Sequence, residues 1–268
     1  MSRDKNYVWI VGNSQLCSSL LQAFCPAEVF QQCSADWENH RVSKGEFRFE
    51  EQVFKFLFCN MSLLGDPTFD GKTLNASDNM FNFVQSVDAY PTSVVVMLRG
   101  NEFAIESLVD YPVRWDFSYN GMSATKGRQF VRSCDIKNYF KMRTNSLFAS
   151  CLIYRINFPN TPIYHVVAPP PIESEDHIRS SPEGFGALFE EFGVRPFHLR
   201  KKIYDMMYDV LVNDLNKIGV KSIFAPQEAL TDSGGLRSEF ASGCLHGNGN
   251  FGIALMSLLK RSDVYASV

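Results

Sequence analysis

Three short stretches carry residue types that can do chemistry together. The first is Gly12-Asn13-Ser14, which follows the apolar run Tyr7-Val8-Trp9-Ile10-Val11 and opens into a helical pattern. A serine at that junction lies near the positive end of a helix dipole, where backbone N–H groups can hold an oxyanion and the hydroxyl can act as a nucleophile. Ser14 or Asn13 can equally cap the helix, since both residue types are preferred at that position. The second stretch is Arg99-Gly100-Asn101-Glu102, after the run Val94-Val95-Val96-Met97-Leu98. There Asn101 offers an amide donor suited to a developing oxyanion, and Gly100 lets the backbone come close to a ligand, with capping again the alternative. The third is Gly243-Cys244-Leu245-His246-Gly247-Asn248, just before a C-terminal helical pattern. His40 lies in a polar stretch, His177 in an acidic loop, His198 before a helix and His165 inside an apolar strand. Only His246 has a Gly-rich, loop-to-helix setting that can place an imidazole over a sheet edge.

Such groups act together only if the fold brings them to one edge. Four apolar runs read as strands: Tyr7–Val11, Val53–Cys59, Ser93–Leu98 and Ile163–Ala168, with a fifth at Ser222–Ala225. Val, Ile and Phe fill them with little alternation, as interior strands covered on both faces require. Between them fall helical patterns at Leu16–Phe24, Asp78–Val87, Glu102–Val109, within Gly127–Tyr154, Leu199–Ile218 and Gly249–Leu259. This alternation predicts a single α/β domain over residues 1–268, doubly wound, with a mostly parallel sheet flanked by helices. Pro169-Pro170-Pro171 must end its strand abruptly. In an open α/β sheet ligands bind beyond the carboxyl ends of the strands, so this loop and those after Val11 and Leu98 are expected to border one crevice.

Composition narrows the partners. With 268 residues, 45% hydrophobic and 13% aromatic, the chain can build a large core. A net charge of −3, from 26 basic and 29 acidic residues spread along the chain, leaves no basic stripe for nucleic acid and no polybasic membrane patch. Seven cysteines, never in a C-x-x-C pair, suit a reducing compartment and argue against a metal site. The first apolar run is too short for a signal peptide, and no run approaches a membrane span, so the expected location is cytoplasmic. Two sequons, Asn60-Met61-Ser62 and Asn75-Ala76-Ser77, carry little weight without a secretory signal.

Taken in order, the three stretches resemble the SGNH (GDSL-like) hydrolase superfamily. Its first block has a Gly-Asp-Ser setting, its third a Gly-x-Asn or Gly-Asn, and its fifth an Asp-x-x-His before the last helix. The run Pro226 through Leu236, with Thr231-Asp232-Ser233-Gly234-Gly235, is similar to the segment that leads into the His block of members associated with polysaccharide and glycan metabolism. The resemblance spans Val8 to Leu259 and implies a flavodoxin-like fold, no cofactor, and an ester substrate that is a small molecule or a carbohydrate. It makes Ser14 the nucleophile, His246 the base and Asn101 an oxyanion donor beside the Ser14 N–H. It also points to an oxyanion glycine after the second strand, Gly65 or else Gly71. Gln15 and Phe103 stand where glycan-associated relatives often have His. The chain departs from the family at Gly243, where the acid that orients the histidine is expected; a backbone carbonyl, Asp232 or Glu239 could replace it. Two functions of different class follow: a serine esterase, or a weak or inactive SGNH fold that binds a glycan or a protein partner. An O-acyltransferase would use the same residues as the esterase.

Overall fold

The structure, a computed structural model, describes residues 7–88, 90–98, 102–262 and 264. Its centre is a six-stranded sheet made of β1 (Val8–Gly12), β2 (Ser43–Phe49), β3 (Gln52–Phe58), β4 (Ser93–Met97), β5 (Ile163–Val166) and β6 (Val220–Ile223). The spatial order is β6-β5-β4-β1-β3-β2, and every pairing is parallel except β2 with β3. Counting the parallel strands alone, the order is that of a flavodoxin-like doubly wound sheet. Every residue of β1, β4 and β5 is buried, which is why these strands read as unbroken apolar runs. Ile10 lies opposite Phe56 on one side and Val95 on the other, so β1 is central and its carboxyl end sits at the switch point.

The edge strand β2 is absent from the expected set. Lys44, Glu46 and Arg48 alternate with the buried Ser43 and Phe47, a half-wet pattern with charges that discourage further pairing. A search for continuous apolar runs passes over it. The helix Ala27–Glu38 lies outside the expected set as well, because it buries only Cys33 and Asp36 and so carries too thin an apolar stripe to announce itself. The helical region expected within 127–154 is two helices, Ser133–Arg143 and Asn145–Asn157, divided at Thr144.

One helical layer joins a first helix over residues 14–24 to the last helix, Gly249–Arg261. The other gathers Glu102–Ser107, Ser133–Arg143 and Asn145–Asn157 around the long helix Phe197–Lys217. Gly252 lets the first layer close: a Cβ there would stand 2.4 Å from the Ser19 carbonyl oxygen, so no larger residue permits this approach. Among the described residues no helix is long and apolar enough to cross a membrane.

Candidate active site

β1 ends at Gly12, and Ser14 is the first residue of the helix that follows. Neither polar residue of the turn caps it. Asn13 makes no capping bond, and its buried Oδ1 has no hydrogen-bond partner among the described residues. Ser14 Oγ lies instead 3.1 Å from His246 Nε2. The helix start therefore keeps its N–H groups uncapped by side chains, at the positive end of the dipole. The same helix takes a π-turn over Cys17–Leu21, where the buried Ser19 hydroxyl donates to the Gln15 carbonyl at 2.5 Å.

His246 reaches Ser14 from the far end of the chain. It sits on a short antiparallel pairing of Ala241–Ser242 with His246–Gly247, in which Ser242 faces His246. Two residues on, Asn248 caps the last helix, accepting from the Asn250 and Phe251 N–H groups at 2.9 and 3.2 Å. Its amide donates to the Glu239 and Ala241 carbonyls at 3.0 and 3.1 Å, tying the helix start to the strand pair. The close helix contact at Gly252 then fixes both strand pair and helix against the Ser14 helix.

On the far side of the imidazole the structure places a residue that the sequence did not point to. Glu183 Oε1 is 3.7 Å from His246 Nδ1, longer than a hydrogen bond but within reach of a charge contact. The other oxygen, Oε2, accepts from the Cys244 thiol at 3.4 Å. Burial pulls the Glu183 carboxyl up, but His246 and Cys244 together outweigh it and hold the group below the usual carboxylate range. Glu183 also has φ +49°, an uncommon conformation for a residue with a Cβ and one that stores strain.

The absence of an acid at position 243 now has a physical reason. A Cβ on Gly243 would lie 2.1 Å from Glu183 Oε1, and Gly243 itself has φ +58°. The site left vacant by the missing side chain is the one that the Glu183 carboxylate fills. His177, placed by its sequence in an acidic loop, braces this corner with Nε2 at 3.1 Å from the Gly243 carbonyl. Of the acids considered from sequence, Glu239 is exposed, 3.9 Å from Arg237, and Asp232 lies in an exposed turn. Neither is a partner of His246 among the described residues. No local signal marks Ser181-Pro182-Glu183-Gly184 as functional, because the contact is made across 63 residues of chain (246 − 183).

The remaining expected residues fare differently. Gly100 and Asn101 lie outside the described residues. Gly65 ends the short helix Met61–Leu64, and its N–H donates to the Met61 carbonyl at 3.2 Å, so that amide is committed to the helix end rather than to an oxyanion. Gly71 lies in a turn whose other N–H groups, Lys72 and Thr73, bond to Asp70. Pro170, expected at the same crevice as Ser14, borders a separate cavity. His165 is buried in mid-β5, between Val96 and Ser222.

Ser14, Glu183 and His246 open onto a cavity of about 370 Å³, whose aromatic wall is Phe30, Trp37 and Phe58. The Trp37 and Phe58 rings stack at 5.5 Å. Cys17 lines it too, but burial, with Cys33 nearby, pushes that thiol up to about 11, so little thiolate competes with Ser14 at neutral pH. Among the described residues no group of three or more His, Cys, Asp or Glu side chains is placed to hold a metal ion.

No family model and no curated protein matches the chain. Similar folds occur among solved structures. The periplasmic domain of a lipopolysaccharide acetyltransferase of Salmonella ser. Paratyphi A is 14% identical over 97% of this chain and 84% of that one, with a TM-score of 0.46. A Streptococcus pneumonia protein named for platelet activating factor is 14% identical over 99% and 86%, with a TM-score of 0.48. A GDSL-like lipase of Bacteroides thetaiotaomicron is 8% identical over 98% and 89%, with a TM-score of 0.40. These overlaps are too loose to carry an activity. The functional reading rests on the geometry of Ser14, His246 and Glu183.

Proposed function

We propose that this chain is a serine acyl-transfer enzyme of the SGNH type that cleaves an ester carried by a carbohydrate. The observation that supports it is the 3.1 Å contact between Ser14 Oγ and His246 Nε2, with a carboxylate on the opposite ring nitrogen. In this reading Ser14 Oγ attacks the ester carbonyl carbon while His246 Nε2 takes its proton. The negative charge that develops on the carbonyl oxygen is met by the uncapped N–H groups at the start of the Ser14 helix, joined by Asn101 as the sequence implies. The carbon–oxygen bond to the alcohol then breaks, and His246 returns its proton to the departing alkoxide. Water repeats the sequence on the acyl-serine, releasing the acid and restoring Ser14. A second alcohol in place of that water would make the same site a transferase. Glu183 acts through His246 as a positioning residue, fixing which ring nitrogen carries the proton and supporting the imidazolium. The carbohydrate carrier is what the resemblance around Pro226–Leu236 implies.

The test uses p-nitrophenyl acetate and a fluorophosphonate probe on the wild type, Ser14→Ala and His246→Ala. Wild type is expected to label and to hydrolyse, with kcat/KM falling by roughly 10⁴ or more in each variant. Equal rates in all three proteins, with no labelling of wild type, would end the proposal.

A further inference from the structure

The same edge of the sheet carries a second cavity, of about 270 Å³, which no step of the proposed reaction uses. Pro170, beyond β5, and Phe224, directly after β6, form one side of it. The helix Phe197–Lys217 forms the other, with Lys201, Tyr204, Asp205, Tyr208 and Asp209. The Tyr204 and Tyr208 rings, 4.6 Å apart, make a buried floor, and Phe103 meets Tyr204 edge-on at 5.4 Å. Phe103 belongs to the helix Glu102–Ser107 that follows β4, the neighbour of β1 in the sheet. Phe224, at the rim, is 51% exposed.

The polar groups decide what chemistry fits. Lys201 already gives its ammonium to both Asp205 oxygens, at 2.6 and 2.8 Å, and stands 5.9 Å from the centre of the Tyr204 ring. An added cation would meet that ammonium where an aromatic cage would have to be empty. An anion would face Asp205 and Asp209 with no uncommitted lysine in the lining. Asp209 accepts from the Tyr119 hydroxyl, and its burial holds the carboxyl above the usual range. A purely apolar ligand would strip water from both carboxylates without replacing its hydrogen bonds. What remains is a neutral ring with one apolar face and many hydroxyls.

We propose that this cavity binds a neutral pyranose ring, stacked on Phe224 and hydrogen-bonded by Asp209, the Lys201–Asp205 pair and Asn120, which also lines the cavity. Its place suits a far subsite of the substrate presented to Ser14. Paired strands lie about 4.8 Å apart, so the ends of β5 and β6 are roughly 10 and 14 Å from the end of β1, a span that a short oligosaccharide covers. That role as a subsite rests on the ester reading; sugar binding itself does not.

The experiment is built on that distinction. Ser14→Ala protein is applied to an array of neutral hexose and N-acetylhexosamine oligosaccharides, with acidic glycans alongside. Binding to neutral glycans is expected, weakened about tenfold by adding Phe224→Ala or Asp209→Asn. Adding Phe130→Ala, at an exposed residue outside the cavity's lining, leaves it unchanged. Absence of neutral-glycan binding, preference for acidic glycans, or full binding by both cavity variants overturns the proposal whether or not the protein cleaves esters. For the subsite role, wild type and Phe224→Ala are compared on the acetylated form of the bound glycan. A KM raised about tenfold by Phe224→Ala supports it, and equal KM values refute it while leaving the ester reading intact.

Discussion

Two acid–base contacts in this protein are built to opposite ends. Lys202 and Asp116 are both almost wholly buried, with side chains 2% and 1% exposed. The Lys202 ammonium reaches both Asp116 oxygens at 2.9 and 3.1 Å and the Phe117 and Ser123 carbonyls at 3.0 and 3.1 Å. Asp116 also accepts from the Phe117 and Thr125 N–H groups at 2.7 Å each. Every charge is paired and every donor used, so the contact fastens the segment around 115–125 to the long helix and has nothing left to give a ligand. Glu183 and His246 are the contrast. Their contact is 3.7 Å long, the Glu183 side chain is 40% exposed, and the second imidazole nitrogen faces a serine hydroxyl in an open cavity. A saturated, buried pair serves position; a loose, half-wet pair leaves groups free to meet a ligand, as the proposed reaction requires.

That contrast can be broken most sharply at Glu183. Glu183→Gln should lower kcat/KM by roughly 10² to 10⁴, because an acid that orients a catalytic imidazole is worth that much. Its melting temperature should scarcely move, since exposed contacts contribute about 0–1 kcal/mol. Gly243→Ala should cost activity on a similar scale by displacing the carboxylate. The double change Glu183→Gly with Gly243→Asp should recover part of it. A fully active Gly243→Ala protein would remove Glu183 from the site.

Lys202→Met should do the reverse. It leaves Asp116 buried without its cation, and a urea titration is expected to lose about 3–5 kcal/mol of stability. Below the melting transition, turnover should stay within about twofold of wild type. A loss of turnover in protein that remains folded would mean that the pair serves the site as well as the fold.

A smaller effect sharpens the role of burial alone. His165, whose Nδ1 has no hydrogen-bond partner among the described residues, is lowered from the ordinary 6.5 to about 4 by burial. Between those values the unfolded chain binds the proton and the folded chain does not, so stability falls as pH drops from 6.5 toward 4. The loss should reach on the order of 3 kcal/mol. His165→Phe should flatten that slope in urea titrations run across the same window. An unchanged slope would assign the acid sensitivity to other groups.

How much could be read before folding differs between frame and site. Unbroken apolar strands such as Ser93–Met97 are legible because burial on both faces leaves a local imprint on residue type. The strand Ser43–Phe49 and the helix Ala27–Glu38 are half wet, and their patterns are weak in proportion to what they bury. At the site, Ser14 opens a helix directly after a strand and His246 lies just before the last helix, in stretches whose residue types signal a strand or loop meeting a helix. Glu183 sits in a short 3-10 turn over Glu183–Phe185 with nothing of that kind around it.

The sequence by itself determined the α/β alternation, the interior character of the apolar strands and two of the residues that meet at the end of the first one. Only the tertiary structure decided that they meet, and that the acid comes from position 183 rather than 232, 239 or 243. The physical reason is that strand and helix patterns are set by neighbours a few residues away. The meeting of Ser14, His246 and Glu183 is set by three segments whose distances depend on the register of the sheet, the contact at Gly252 and the open space at Gly243.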